Sequence, residues 1–287
     1  MSRAADVRHI GILLCDTANP FWRSKKDAYR EQAAESGFQV HFHEAADSLS
    51  PKMQADLLKQ LYSAGYDAVI VNPLTSDNLL EAIQAAPFPV LDVGPKCDPA
   101  RAKEILNYHP LWVTDFVLQG SMAASALVEG LSPSPEGMAL IVAGIDGARQ
   151  SVGRCRGAAD VFRRLFPTER ILCIHADFER GRARAALLAL AGRIDLAAVF
   201  CANDLMAMGA VEAFEELGLT LPPIGGVDAI DEALAALRAG RLAATVGISE
   251  PEVVRGVDRA RADVLAGRQL PDRPLVQSVL YQRGREP

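Results

Sequence analysis

The sequence predicts an α/β protein made of two doubly wound parallel-sheet units, on three observations. Apolar runs of strand length alternate with amphipathic helical stretches from one end of the chain to the other. Those runs are almost continuously hydrophobic, as parallel strands covered on both faces are. At 287 residues the chain has also reached the length at which single cores stop growing and divide.

The strand candidates, in order, are "HIGILL", "FQVHFH", "DAVIVN", "FPVLDVG", "MALIVAG", "ERILCIHA", "LAAVFCA", "PPIGGV" and "AATVGI". Between the second and third, "SPKMQADLLKQLYSAG" predicts a helix with Ser50 as N-cap, Pro51 in its first turn, and Met53, Leu57 and Leu61 on its packed face. "NDLMAMGAVEAFEELG" repeats the scheme, with Asn203 or Asp204 at the cap and Gly218 at the end. The run "EGLSPSPEGMALIV" interrupts the series, and a second set of strand–helix units starts from Met138. Pro20 starts the helix after the first strand, which sets Phe21 and Trp22 in its first turn.

Composition narrows the function. Hydrophobic residues make up 49% and charged residues 23% of the chain, which is globular and not disordered. With 30 basic against 36 acidic residues and a net charge of −6, the chain lacks the cationic excess that a nucleic-acid groove uses to displace counterions. No apolar stretch approaches the roughly 20 residues of a membrane span. "MSRAADVRH" holds no signal-peptide core, so the expectation is a cytoplasmic protein, or a periplasmic one whose signal has been removed. The five cysteines, Cys15, Cys97, Cys155, Cys173 and Cys201, form no C-x-x-C pair, so neither a disulfide framework nor a zinc knuckle is expected. Cys173 and Cys201 read as buried thiols in or near strands. His41 and His43 alternate on one strand face, without an acidic or cysteine partner at ligand spacing, and read as an edge-strand pair; Cys173 and His175 read as packing.

In an open α/β sheet the ligand site lies at the carboxyl ends of the strands. The side chains placed there are Asn19, Phe21, Trp22, Lys96, Gln150, Arg154, Phe178, Asn203 and Asp228. Charged and amide groups that bond hydroxyls, beside aromatic faces that cover C–H surfaces, suit a polyhydroxylated ligand. The chain has no phosphate-binding loop, no G-x-S-x-G elbow, no H-E-x-x-H helix and no nucleophile with an adjacent base. Binding without chemistry, cofactor or metal is the expectation.

Seven stretches in one order, "NPFW", "VNPLTSD", "GRCRG", "ADFER", "CANDLMAMGA", "GGVD" and "GRLAATV", resemble the type I periplasmic binding proteins, in particular the ribose-binding subgroup. That family shares its fold with the effector domains of lactose-repressor-type regulators. The resemblance runs from Val7 to about Leu280, with "GRCRG" opening the first helix of the second lobe. It implies lobes at 1–113 plus 249–274 and at 114–248 plus 275–287, three hinge crossings near Val113, Ile248 and Pro274, and a ligand clamped in the cleft between lobes by hinge closure. It gives Asn19 to ligand hydroxyls, Phe21 and Trp22 to one sugar face, Phe178 to the other, and Arg154, Asn203 and Asp228 to binding from the C-terminal lobe.

Two positions depart from the family's pattern. "VLDVGPK" puts Gly94 and Pro95 where sugar-binding members read Asp-Arg, unless Asp92 takes the acid's place, and Ile248 replaces an amide. Fewer hydroxyl partners point to a less hydroxylated sugar, a polyol or another small polar molecule, including one with an anionic group for Lys96 or Arg154. The implied partner is the permease of an ABC-type transporter, served by a monomer. The second reading is the ligand-sensing domain of a regulator without its DNA-binding module, since only nine residues precede Ile10.

Overall fold

The computed structural model describes residues 8–14, 20–44, 50–94, 97–132 and 136–285, with 20–24, 36 and 99 described through their backbone. The chain divides into two compact units. Unit 1 takes Met1–Thr114 and Ser249–Val276, and unit 2 takes Asp115–Ile248 and Gln277–Pro287.

Unit 1 runs β1 (His9–Leu13), α1 (Pro20–Ser36), β2 (Gln39–His43), α2 (Pro51–Gln60), β3 (Ala68–Val71), α3 (Leu80–Gln84), β4 (Val90–Asp92), α4 (Pro99–Ala102) and β5 (Tyr108–Pro110). Its sheet has the order β2-β1-β3-β4-β5, parallel throughout. Unit 2 runs α5 (Phe116–Val128), β6 (Met138–Ala143), α6 (Arg149–Phe162), β7 (Ile171–His175), α7 (Arg180–Leu190), β8 (Leu196–Cys201), α8 (Asp204–Glu216), β9 (Ile224–Val227), α9 (Asp231–Arg238) and β10 (Ala244–Ile248). The chain then returns to unit 1 for α10 (Glu250–Leu265) and ends in unit 2 with β11 (Ser278–Gln282). The second sheet reads β11-β10-β9-β8-β6-β7. Strands β7-β6-β8-β9-β10 therefore repeat the walk β2-β1-β3-β4-β5, and each sheet reverses direction at its first strand, the switch point where doubly wound folds bind ligands.

All nine expected strands form. Two more were not expected. β5 is three residues ending in a proline, too short to raise a hydrophobic run, and β11 is a half-buried strand antiparallel to β10. The central strands are buried on both faces: every residue of β3 is buried, and Val69 and Val71 pack in one core with Leu13, Leu58, Leu61, Ile83 and Val90. Each such aliphatic side chain contributes about 1.5–3 kcal/mol of transfer free energy.

The structure corrects several expectations. In α2 the cap and Pro51 stand as expected, with Ser50 accepting the Met53 N–H, and Leu57 and Leu61 pack on the core as expected, but Gln54 and Leu58 are buried beside them and Met53 is 38% exposed. Met53 faces outward because the polar Gln54 occupies the inner position of that turn. Cys201 is buried but Cys173 is exposed, because β7 is an edge strand. The "GRCRG" stretch does not open the first helix of unit 2. α5 precedes it, and it lies inside α6, which begins at Arg149. His41 and His43 do lie on an edge strand, where His41 Nε2 meets His9 Nδ1 at 3.2 Å and His43 Nε2 meets the Tyr66 hydroxyl at 2.7 Å. Burial holds the His43 imidazole below its ordinary pKa.

Candidate functional site

Unit 2 gathers five of the expected residues at the carboxyl end of its sheet. The arrangement starts from how α6 is held. A Cβ on Gly120 of α5 would fall 1.9 Å from the Arg154 carbonyl oxygen, and one on Gly157 would fall 2.0 Å from that of Val117. Only hydrogen at these two positions lets α5 and α6 approach so closely. The glycine of "GRCRG" at 157 is thus a packing device that sets the depth of Arg154.

Arg154 lies one turn beyond Gln150 on α6, so the two share a face. Its Nε donates to Gln119 Oε1 at 3.0 Å, its Nη1 to the Ala202 carbonyl at the end of β8 at 2.8 Å, and its Nη2 to Asp228 Oδ1 at 3.1 Å. The Phe116 ring centroid lies 5.8 Å from the guanidinium carbon. Arg154 and Asp228 side chains are each 8% exposed, so this is a desolvated ion pair, tolerable because the other guanidinium nitrogens find partners.

Asn203 caps α8. Its Oδ1 accepts the Met206 N–H at 2.9 Å and its Nδ2 donates to the Phe178 carbonyl at 3.2 Å. The Phe178 ring lies over Gly144, the residue after β6, where a Cβ would sit 2.2 Å from the ring. Among the described residues, the non-glycine positions with positive φ are Asp177, Phe178, Asp228 and Ala229. All four belong to the two loops that present Phe178 and Asp228. Strain of this kind costs of order 1–3 kcal/mol per residue and concentrates at ligand clamps.

Gln150 completes the group. Its Oε1 is buried and has no hydrogen-bond partner among the described residues. Next to the cluster, the fully buried Asp204 carboxylate accepts from Thr245 Oγ1 at 2.7 Å and from the Ile230 N–H at 3.0 Å. Burial first, then the charge of Asp228, pushes its pKa up to about 7, against the opposing Thr245 and Ile230 bonds and Arg154. Burial also raises the Cys155 thiol, next to Arg154 in sequence, to about 12.

In unit 1, Asn19 and Lys96 lie outside the described residues, as do the side chains of Phe21 and Trp22; α1 does begin at Pro20. Asp92, the acid weighed for that place, bonds within its own unit. It is fully buried, Oδ1 accepts the Gly94 N–H at 2.8 Å, and Oδ2 accepts the Tyr108 hydroxyl at 2.5 Å. The "VNPLTSD" loop is held by Gln54, whose Nε2 donates to the Asn72 carbonyl and whose Oε1 accepts the Leu74 N–H and the Asn78 amide.

Sequence reasoning missed Gln119, Thr245 and Gln54, and saw Asp204 only as a possible cap. The available signal for Gln119 was a single amide in the otherwise apolar and small-residue helix "FVLQGSMAASALV". Among the described residues, no group of three or more His, Cys, Asp or Glu side chains is placed to hold a metal ion. The cluster offers a guanidinium, carboxylates, amides and an aromatic face, which are groups that hydrogen-bond and stack.

Two α/β units of one strand order, shared out over four successive stretches of a single chain, are the architecture of a two-lobed binding protein. A family model described as "Periplasmic binding protein domain" matches residues 102–269, and the chain belongs to that family. The D-allose-binding periplasmic protein of Escherichia coli is 27% identical over 248 residues, covering 84% of this chain and 79% of that protein. The ribose import binding protein of Bacillus subtilis is 27% identical over 266 residues, covering 91% of this chain and 83% of that one. Among solved structures, a periplasmic solute-binding protein of an ABC transporter from Actinobacillus succinogenes, with bound D-allose, superposes with a TM-score of 0.84 at 23% identity, over 96% of this chain and 98% of that one.

Proposed function

We propose that this chain captures a small polyhydroxylated solute, of the aldose or polyol class, and presents it to the permease of an ABC-type transporter. Binding is its whole task, and no bond of the solute is made or broken. The observation that carries this reading is the desolvated Arg154–Asp228 pair beside the buried and unpartnered Gln150 Oε1. A buried acceptor without a partner is costly, and a solute hydroxyl is a donor of the right kind to satisfy it. Asn203 and Phe178 add an amide and a ring on the same strand ends. Membership of the periplasmic binding protein family and the 27% identity to allose- and ribose-binding relatives support the same solute class.

The family resemblance also assigns Asn19, Phe21, Trp22 and Lys96 to solute binding, with Lys96 available to an anionic substituent. The protein works in the periplasm as a monomer. Calorimetric titration with D-ribose, D-allose, xylitol and D-gluconate tests the reading. Saturable one-to-one heat with at least one of them is the expected result, and no heat with any of the four would overturn the solute class.

A further inference from the structure

The bend between β9 and α9 runs against the preferences of its own residues. Asp228 and Ala229 carry φ of +122° and +53° in succession, a region that side-chain-bearing residues avoid. Three hydrogen bonds hold it there. The Ala229 N–H donates to Thr245 Oγ1 at 3.2 Å, the Ile230 N–H donates to Asp204 Oδ2 at 3.0 Å, and the Thr245 hydroxyl donates to Asp204 Oδ1 at 2.7 Å. Asp204 comes from α8 and Thr245 from β10, so the bend is clamped from two elements, and both side chains are fully buried. The fit is tight, since a Cβ on Gly226 would fall 2.2 Å from Asp204 Oδ1.

We propose that Asp204, acting with Thr245, is the positioning residue that holds the Asp228 bend, and through Asp228 the Arg154 guanidinium, in the geometry that receives the solute. The effect on affinity rests on the solute-binding reading above, whereas the effect of pH on the unliganded protein does not. The charged and titratable groups facing Asp204 are Asp228 from the bend, Arg154 from α6 and the Cys201 thiol from β8, which burial raises well above its ordinary value.

The sign follows from linkage. Asp204 is pushed up to about 7 in the folded chain, whereas an unfolded aspartate titrates near ~3.9. Its contribution to stability is therefore complete below the unfolded value and is lost as pH rises through the folded one. Arg154 and the two hydrogen bonds to Asp204 oppose that loss without removing it.

The test begins without ligand, by following thermal unfolding of the wild type and Asp204→Asn from pH 5 to pH 8. The wild type should lose at least about 3 °C more than the variant across that interval. Parallel curves would overturn the pH linkage. If Asp204→Asn does not fold, the carboxyl ¹³C titration of the wild type decides the same point, with a midpoint near 7 expected and one near 4 contradicting it. Titration of D-ribose and D-allose then tests positioning. Thr245→Val should weaken binding at least about tenfold, and Thr245→Ser, which keeps the hydroxyl, should stay within about threefold of wild type. Unchanged affinity in Thr245→Val would overturn the positioning role. A wild type that binds neither sugar would count against the solute reading instead, and the unliganded measurements would still decide the linkage.

Discussion

Two aspartates close corresponding strands in the two sheets and do opposite things. Asp92 ends β4, the fourth strand met in the order of unit 1, and Asp228 follows β9, its counterpart in unit 2. Asp92 is fully buried and its oxygens accept from Gly94 and Tyr108 of its own unit. Asp228 sits on a strained bend, half-buried as a residue, with its carboxylate against Arg154. The difference comes from the neighbours. In unit 1 the next strand supplies a tyrosine hydroxyl that draws the carboxylate inward. In unit 2 the next strand supplies Thr245, which with Asp204 takes the backbone bonds and leaves the Asp228 side chain for a cation. Strand position alone therefore does not decide whether a carboxylate meets a cation.

The largest expected effect is at the cation. Arg154→Ala strips three hydrogen bonds and leaves Asp228 and Gln119 buried without it, so it should cost about 3–5 kcal/mol of stability, read from denaturant unfolding. Its affinity for the solute should fall at least about a hundredfold, because the buried charge that orients the site is gone. Next comes the structural aspartate: Asp92→Asn and Tyr108→Phe should each cost about 1–3 kcal/mol while leaving solute affinity within about threefold of wild type. Gly144→Ala displaces the Phe178 ring and should weaken binding about tenfold, with a stability loss of about 1–3 kcal/mol from overpacking. Met53→Ala, on the outer face of α2, should fall within about 0.5 kcal/mol of wild type, whereas Leu58→Ala should cost about 2–5 kcal/mol.

Much of this fold was legible because buried parallel strands write themselves as apolar runs, and nine of them did. β5 and β11 were not legible for the same physical reason reversed: one is too short for a run, and the other is an antiparallel edge that keeps polar residues on a half-wet surface. Within the α2 stripe only Met53 falls outside the core, because Gln54 is polar and yet buried, held inside by the "VNPLTSD" backbone that follows a later strand. Cys173 was misread because apolar surroundings in sequence do not reveal that β7 is an edge. Among the candidate residues, Asn203 and Asp228 could be named from their places after strands, and Arg154 from the helix that follows β6. Gln119, Asp204 and Thr245 could not, since each acts through bonds to residues 35, 26 and 16 positions away in the chain. A resemblance transmits the residues expected to face a ligand more readily than those that hold them.

The central claim is that the Asp228–Arg154 pair of unit 2, and not the aspartate in the corresponding place in unit 1, receives the solute. The direct measurement is calorimetric titration of D-ribose and D-allose into the wild type, Asp228→Asn and Asp92→Asn under one buffer. The account predicts one-to-one binding by the wild type, a loss of at least about tenfold in Asp228→Asn and retained affinity in Asp92→Asn. Equal affinity in all three proteins, or a loss confined to Asp92→Asn, would contradict it.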